Sequence, residues 1–387
     1  MGYLGDLLSI SHTERDTLMH TSRKAFLALV VGLTAFLVPP PAQAGGFQAN
    51  ALDTYPADPS LQNPWGISAS PGGSFWISDN GTHVSTLLAV NPTTDATTKL
   101  GLTVSIPGEG SVTGQVYNST KDFNADPFLF VSEDGTVSGW RGSLGTSAET
   151  LQAASLSNVY KGSAIATVGT SAYLYAANFR AGTIDVLKGN VGAPSLTGTF
   201  TDPTMASGYA PFNVQNLGGN LFVTYAQQNA AKHDDVAGAG HGFVDEFDLN
   251  GTLVKRIAGG GALDSPWGLA IAPSSLGSFT GDLLVGNFGD GRINAFDLAG
   301  SGGPTALGQL PGAGSVPLTI DGLWALSPGN NGSGGSSQKL YFTSGPNGET
   351  GGVFGVLAPV PEASSLVTFG LLLTLGGIAA MKRKKRA

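Results

Sequence analysis

Ser265-Pro266-Trp267-Gly268-Leu269-Ala270-Ile271-Ala272-Pro273, followed by Gly281-Asp282-Leu283-Leu284-Val285-Gly286-Asn287-Phe288-Gly289-Asp290-Gly291-Arg292-Ile293-Asn294-Ala295-Phe296-Asp297, decides the fold. It reads as strand, loop, strand, tight turn, strand, because short β-branched and aromatic runs alternate with Gly, Pro, Asn and Asp. The pattern recurs as Asn63-Pro64-Trp65-Gly66-Ile67 and Phe75-Trp76-Ile77-Ser78-Asp79-Asn80-Gly81. A recurring unit marks a repeat architecture.

Working outward, the first unit places strands at 66–69, 75–78, 86–90 and 99–106. The second has 112–117, 127–135 and 136–140, with Asp134-Gly135 as a hairpin turn. The third has 161–168, 172–179 and 183–187, and the fourth 210–215, 220–225 and 242–249. The fifth is the opening stretch, and the sixth has 320–326, 339–343 and 352–357. Six units, roughly 45–60 residues apart, match the blades of a six-bladed all-β propeller. A single blade cannot bury both faces, so closing the ring supplies the core. A strand at 48–55 is expected to complete the last blade. A pair of β-sandwiches would leave the repeated Pro-Trp-Gly and Asn-Gly positions unexplained.

Composition agrees. Of 387 residues 58 are Gly, 12% are charged and 41% are hydrophobic, which suits short strands, many turns and a buried core. Between 45 and 361 there are 11 basic against 23 acidic residues, a net of -12. Nucleic-acid binding needs a basic face, so nucleic acid is excluded as a partner. With no Cys there is no disulfide, thiol nucleophile or Cys-bound zinc.

The ends read differently from the body, which spans 45–358. Residues 1–44 contain a signal peptide: Arg23-Lys24, an apolar run over 25–38, and small Ala42 and Ala44 at an A-x-A cleavage site. Residues 1–18 fit no export signal, and Met19 is read as an alternative start. Residues 359–387 combine Val360-Pro361-Glu362-Ala363, an apolar run over 366–380 read as a transmembrane helix, and the basic cluster 382–386. This layout resembles the PEP-CTERM sorting signal of Gram-negative bacteria, with Pro361 and Glu362 in the motif and Ala363 where a second Pro is usual. That resemblance implies an exosortase as partner and transient contact with the inner membrane. It also implies export to the cell envelope, cell surface or extracellular matrix. An uncleaved anchor is the alternative.

The motifs at 63–67, 78–81, 210–215, 265–268, 286–291 and 322–324 also resemble a family of uncharacterised exported bacterial proteins that often carry such tails. More distantly, the blades look like NHL-type and gluconolactonase-type six-bladed propellers. Gluconolactonase-type propellers hold a divalent metal with a Glu, an Asn and an Asp. That set does not map onto this chain residue by residue.

In a propeller, the turns after the second strands converge on one rim. They bring Asp79 with Asn80, Glu133 with Asp134, Asn178, Asn287 with Asp290, and Asn347 with Glu349. Oxygen ligands on a concave rim suit Ca2+, and the same residue types also simply make tight turns. The insertion from Gln227 to His241 joins that rim with His233, Asp234, Asp235 and His241, able to ligate a metal or move protons. His233, Asp234, Asp235 and Asp290 are the metal candidates. Trp65, Trp267 and Trp324 are read as packing plugs rather than sugar platforms. No G-x-S-x-G, H-E-x-x-H, Walker A or Rossmann fingerprint is present. The expected function is therefore an exported binding module for an exopolysaccharide or protein, more a binder than an enzyme. The competing class is a metal-dependent hydrolase or lactonase using the rim and the 228–241 loop.

Overall fold

The computed structural model describes residues 45–300 and 302–360. The expected signal peptide, the expected cleavage site at Ala42 and Ala44, the motif residues Pro361 and Glu362, and the apolar run read as a sorting segment lie outside them. Among the described residues, no helix is long and apolar enough to cross a membrane.

Six antiparallel sheets make the ring. Blade 1 is β2 (Pro64–Ser68), β3 (Phe75–Asp79), β4 (Val84–Val90) and β5 (Thr97–Ser105). Blade 2 is β6 (Val112–Tyr117), β7 (Phe128–Ser132), β8 (Val137–Trp140) and β9 (Glu149–Gln152). Blade 3 has only three strands, β10 (Tyr160–Val168), β11 (Ser171–Asn178) and β12 (Thr183–Lys188). Blade 4 is β13 (Tyr209–Leu217), β14 (Asn220–Gln227), β15 (Gly242–Phe247) and β16 (Leu253–Gly259). Blade 5 is β17 (Pro266–Ile271), β18 (Leu283–Asn287), β19 (Ile293–Asp297) and β20 (Thr305–Gln309). Blade 6 is β21 (Leu323–Pro328), β22 (Leu340–Ser344), β23 (Val353–Pro359) and, as its outer strand, β1 (Phe47–Thr54). The ends of the described chain thus pair with each other, as the strand expected at 48–55 requires.

The innermost strands pack in succession, β2 on β6, β6 on β10, β10 on β13, β13 on β17, β17 on β21 and β21 on β2. Every one of them carries an irregular register against its second strand near its start. Such bulges bend a strand and re-aim its side chains, here at the mouth of the central channel. The repeated Gly of the Pro-Trp-Gly motif sits at this bend. A Cβ on Gly66 would lie 2.6 Å from the Thr113 carbonyl oxygen, and one on Gly268 would lie 2.7 Å from that of Trp324. Only Gly lets the next blade approach so closely.

Between blades the core is apolar, as in the cluster of Leu284, Leu323, Leu340 and Phe342. A polar exception lies in blade 4, where Arg256 Nε donates 2.6 Å to the fully buried Asp245 and the guanidinium also pairs with Asp202. Burial pushes the Asp245 carboxyl up to about 6, against the pull of Arg256. The folded state then holds a proton that the unfolded chain releases near pH 4. This group's contribution is complete below pH 4 and is lost as pH rises through about 6. Asp245→Asn is expected to flatten that decline, worth about 2 kcal/mol, in urea midpoints measured between pH 4 and 7. An unchanged slope would show that Asp245 is ionised throughout.

Candidate functional site

Three tryptophans close one mouth of the channel. Trp65 and Trp324 stack at 3.5 Å between centroids, and Phe288 stacks on Trp324 at 4.0 Å. Trp267 meets both indoles edge-on, at 6.1 and 5.8 Å. All three tryptophans are buried, so they pack rather than present faces to solvent. Their N–H groups tie them to the chain unequally. Trp324 donates 2.9 Å to Asn63 Oδ1 and Trp267 donates 2.9 Å to the Lys161 carbonyl, whereas the buried Trp65 Nε1 has no partner.

Above this floor, charged groups from four elements meet. Glu133 follows β7, Lys161 opens near the start of β10, Glu349 lies in the turn after β22, and His233, Asp234 and Asp235 come from the loop after β14. The Lys161 ammonium pairs with Glu133 and lies 3.7 Å from Asp234 Oδ1 and 5.2 Å from the Trp65 ring centroid. His233 Nδ1 is 2.7 Å from Asp234 Oδ1. Asn80 Nδ2 donates to Glu133 at 3.2 Å, and Asn63 Nδ2 donates to Glu349 at 2.7 Å and to Asn80 at 3.3 Å. Asn63 and Glu349 both hold positive φ, 46° and 66°, unusual for residues with a Cβ. Backbone held this way tends to mark a site that the surrounding structure over-determines.

The local field separates the carboxyls. Burial, with repulsion from Glu133 and Asp235, raises Glu349 above the usual range despite the Asn63 hydrogen bond and the Lys161 charge. Burial likewise raises Asp235 against the nearby Lys161. Burial also works on Asp234, but His233 and Lys161 outweigh it and hold that carboxyl low. Glu133, His233 and Asp234 each offer a ligand atom, all within 4.8 Å of one another. Beside them a groove of about 340 Å3 runs outward, lined by Glu109, Glu133, Asp134, Asn158, Arg180 and His233, with Leu156 exposed at its edge.

Of the residues expected on the rim, the structure brings together Asn80, Glu133, His233, Asp234, Asp235 and Glu349. Asp79, Asn178 and Asn287 do not join them. Each is the last residue of a second strand, buried, and clasped to the residue seven positions on: Thr86 donates to Asp79 at 2.6 Å, Asn178 to Asp185 at 2.8 Å, and Asn294 to Asn287 at 3.2 Å. At that position the side chain points across to the third strand instead of into the mouth. Burial holds the Asp79 carboxyl well above its ordinary range, which makes it a poor metal ligand. Asp290 accepts from Asn287 Nδ2 at 2.9 Å and from the Arg292 amide at 3.1 Å, so it locks its own turn rather than serving as a metal candidate. His241 turns back on its own loop, with Nδ1 2.8 Å from the Val236 carbonyl. Asn347 gives its amide to Asp321 at 2.9 Å.

Sequence reasoning misses Lys161 and Asn63. A signal for Lys161 exists: it is a lone cation at the head of an innermost strand, where a charge has to find partners at the mouth.

A ring of six four- or three-stranded sheets with one polar mouth defines a six-bladed β-propeller. The chain belongs to the family of "Uncharacterized protein R648" of Acanthamoeba polyphaga mimivirus, with which it is 32% identical over 292 residues, 70% of this chain and 69% of that protein. "Uncharacterized protein L690" of the same virus is 29% identical over 323 residues, 78% of this chain and 81% of that one. No family model matches the chain. Among solved structures, an α-L-arabinanase of Penicillium chrysogenum complexed with arabinobiose superimposes with a TM-score of 0.50 at 13% identity, over 83% of this chain and 99% of that one. At that identity the likeness is one of fold. The relatives that show the family are viral, so the expected resemblance of the body motifs to a family of exported bacterial proteins is not what they support.

Proposed function

We propose that the chain is a binding propeller whose ligand is a hydroxyl-rich glycan, taken at the acid-lined mouth and in the groove beside it. The supporting observation is the gathering of Glu133, Lys161, His233, Asp234, Asp235 and Glu349 from separate blades onto one concave mouth. Carboxylates accept hydroxyl hydrogens, and Lys161 and Asn80 donate to ring or hydroxyl oxygens. Neutral sugar suits a body of net -12 better than an anionic polymer does. The arabinanase with this fold also takes a glycan, which is an analogy of fold only.

A second reading has its own support. Glu349 and Asp235 are raised while Asp234 is lowered, the separation that lets one carboxyl act as acid and another as base in hydrolysis. One experiment addresses both: an oligosaccharide set is titrated into wild type, Glu133→Gln and Asp234→Asn, and product formation is followed. Binding weakened at least about tenfold in both variants is expected. Equal binding in all three would move the ligand elsewhere, and turnover with a bell-shaped pH profile would favour the hydrolase. Export with sorting of the tail remains part of the proposal, and mass spectrometry of the mature termini in the native host tests it.

A further inference from the structure

We infer that Lys161 is the resident cation of the mouth, filling the gap between Glu133 and Asp234 that a divalent ion would otherwise take, so that the native site engages an oxygen of its ligand without metal. It goes beyond the proposed ligand class and rests on that reading only for the location of the site.

Three observations carry it. The first is geometry. Glu133, His233 and Asp234 converge as a metal-binding trio would, and the ammonium pairs with Glu133 and lies 3.7 Å from Asp234. A divalent ion held by the same oxygens would stand within a few ångströms of a unit positive charge. At about 4 Å such a repulsion exceeds thermal energy several-fold even with strong screening.

The second is that the ammonium cannot easily leave. Lys161 is 2% exposed, its stem is fixed in β10, its carbonyl accepts from Trp267, and the Trp65 ring lies against the charge. The third is unused hydrogen-bonding capacity. An ammonium carries three donors, and among the described residues only Glu133 accepts from this one. A buried donor with protons to spare, next to acceptor carboxylates, matches a ligand hydroxyl or carbonyl oxygen.

The resemblance to metal-holding propellers therefore does not extend to this mouth as it stands. The trio fits a metal only once the lysine is gone.

The test is a titration with Zn2+ and Ca2+ alone, without any glycan, so it can fail separately from the proposed ligand class. Isothermal calorimetry and thermal unfolding compare wild type, Lys161→Met and Lys161→Met with His233→Ala. Methionine keeps the apolar stem against Trp65 and removes the charge. Lys161→Met is expected to bind one Zn2+ at least about tenfold more tightly than wild type, and the His233 change is expected to abolish the gain. Zinc affinity that is equal in wild type and Lys161→Met, whether high or absent, overturns the inference. Should Lys161→Met not fold by circular dichroism, Lys161→Gln takes its place. Tight one-to-one metal binding by the wild type overturns the inference without any variant.

Discussion

Trp324→Ala is expected to lower the unfolding free energy by about 4 kcal/mol, at the upper end for a large-to-small core change. Trp324 is 1% exposed and is sandwiched between Trp65 at 3.5 Å and Phe288 at 4.0 Å. Rigid inner strands from three blades surround it, so the cavity has little means to collapse. The loss is also polar, because Trp324 Nε1 holds Asn63 Oδ1 at 2.9 Å. Asn63 in turn donates to Glu349, so the floor and the mouth share one hydrogen-bond chain. Trp324→Phe separates the two effects. It keeps an aromatic ring and removes the N–H, and should recover most of the stability while weakening ligand binding through Asn63. Chemical denaturation followed by circular dichroism measures the first effect. A cost below about 1 kcal/mol for Trp324→Ala would mean that the three tryptophans are replaceable filler.

The fold was legible because its repeat is local. Asn63-Pro64-Trp65-Gly66 and Ser265-Pro266-Trp267-Gly268 read alike and fold alike, down to a φ of 46° at Asn63 and 45° at Ser265. The clasps were less legible. Asp79, Asn178 and Asn287 look like rim ligands because each precedes a turn. Whether such a side chain points outward depends on strand twist and on the partner seven residues on, and a turn signature carries neither. The site was half legible for a related reason. His233 and Asp234 stand out in a polar insertion, and Glu133 and Glu349 in their turns, but Lys161 belongs to a strand whose neighbours in sequence are buried. Its partners Glu133 and Asp234 lie 28 and 73 positions away, so only the closed ring brings them together.

A chain beginning at residue 56, and so lacking β1, is expected to lose its cooperative fold and aggregate. Seven residue pairs join β1 to β23, and a backbone hydrogen bond contributes about 1 kcal/mol against a whole-domain stability of about 5–15 kcal/mol. β1 does more than widen a sheet. Phe47 is buried in the cluster with Leu340, Phe342 and Leu357, and its amide donates 2.7 Å to the Pro311 carbonyl before blade 6. Blade 3 manages with three strands, so a missing outer strand is not in itself fatal. What sets β1 apart is its position in the chain: it leads directly into blade 1 while lying in blade 6, and so makes the ring covalently continuous across its seam. Without it, that seam is held only non-covalently, by the packing of β2 on β21 and β22, the stack of Trp65 on Trp324, Phe75 against Tyr341 and Phe354, the Thr343 hydroxyl on the Trp65 carbonyl at 2.5 Å, the Lys339–Asp95 ion pair and the hydrogen bonds of Asn63. β23 would also present Val353-Phe354-Gly355-Val356-Leu357 as an unprotected edge, a template for pairing with other chains. Added in trans, a peptide of residues 45–55 should restore a soluble monomer in sizing chromatography, because it refills the edge even though it cannot restore the covalent link. Rescue that is complete in urea midpoint as well would assign the whole effect to edge pairing and none to chain continuity. A shortened chain with the wild-type midpoint and no peptide would show that blade 6, like blade 3, is complete with three strands.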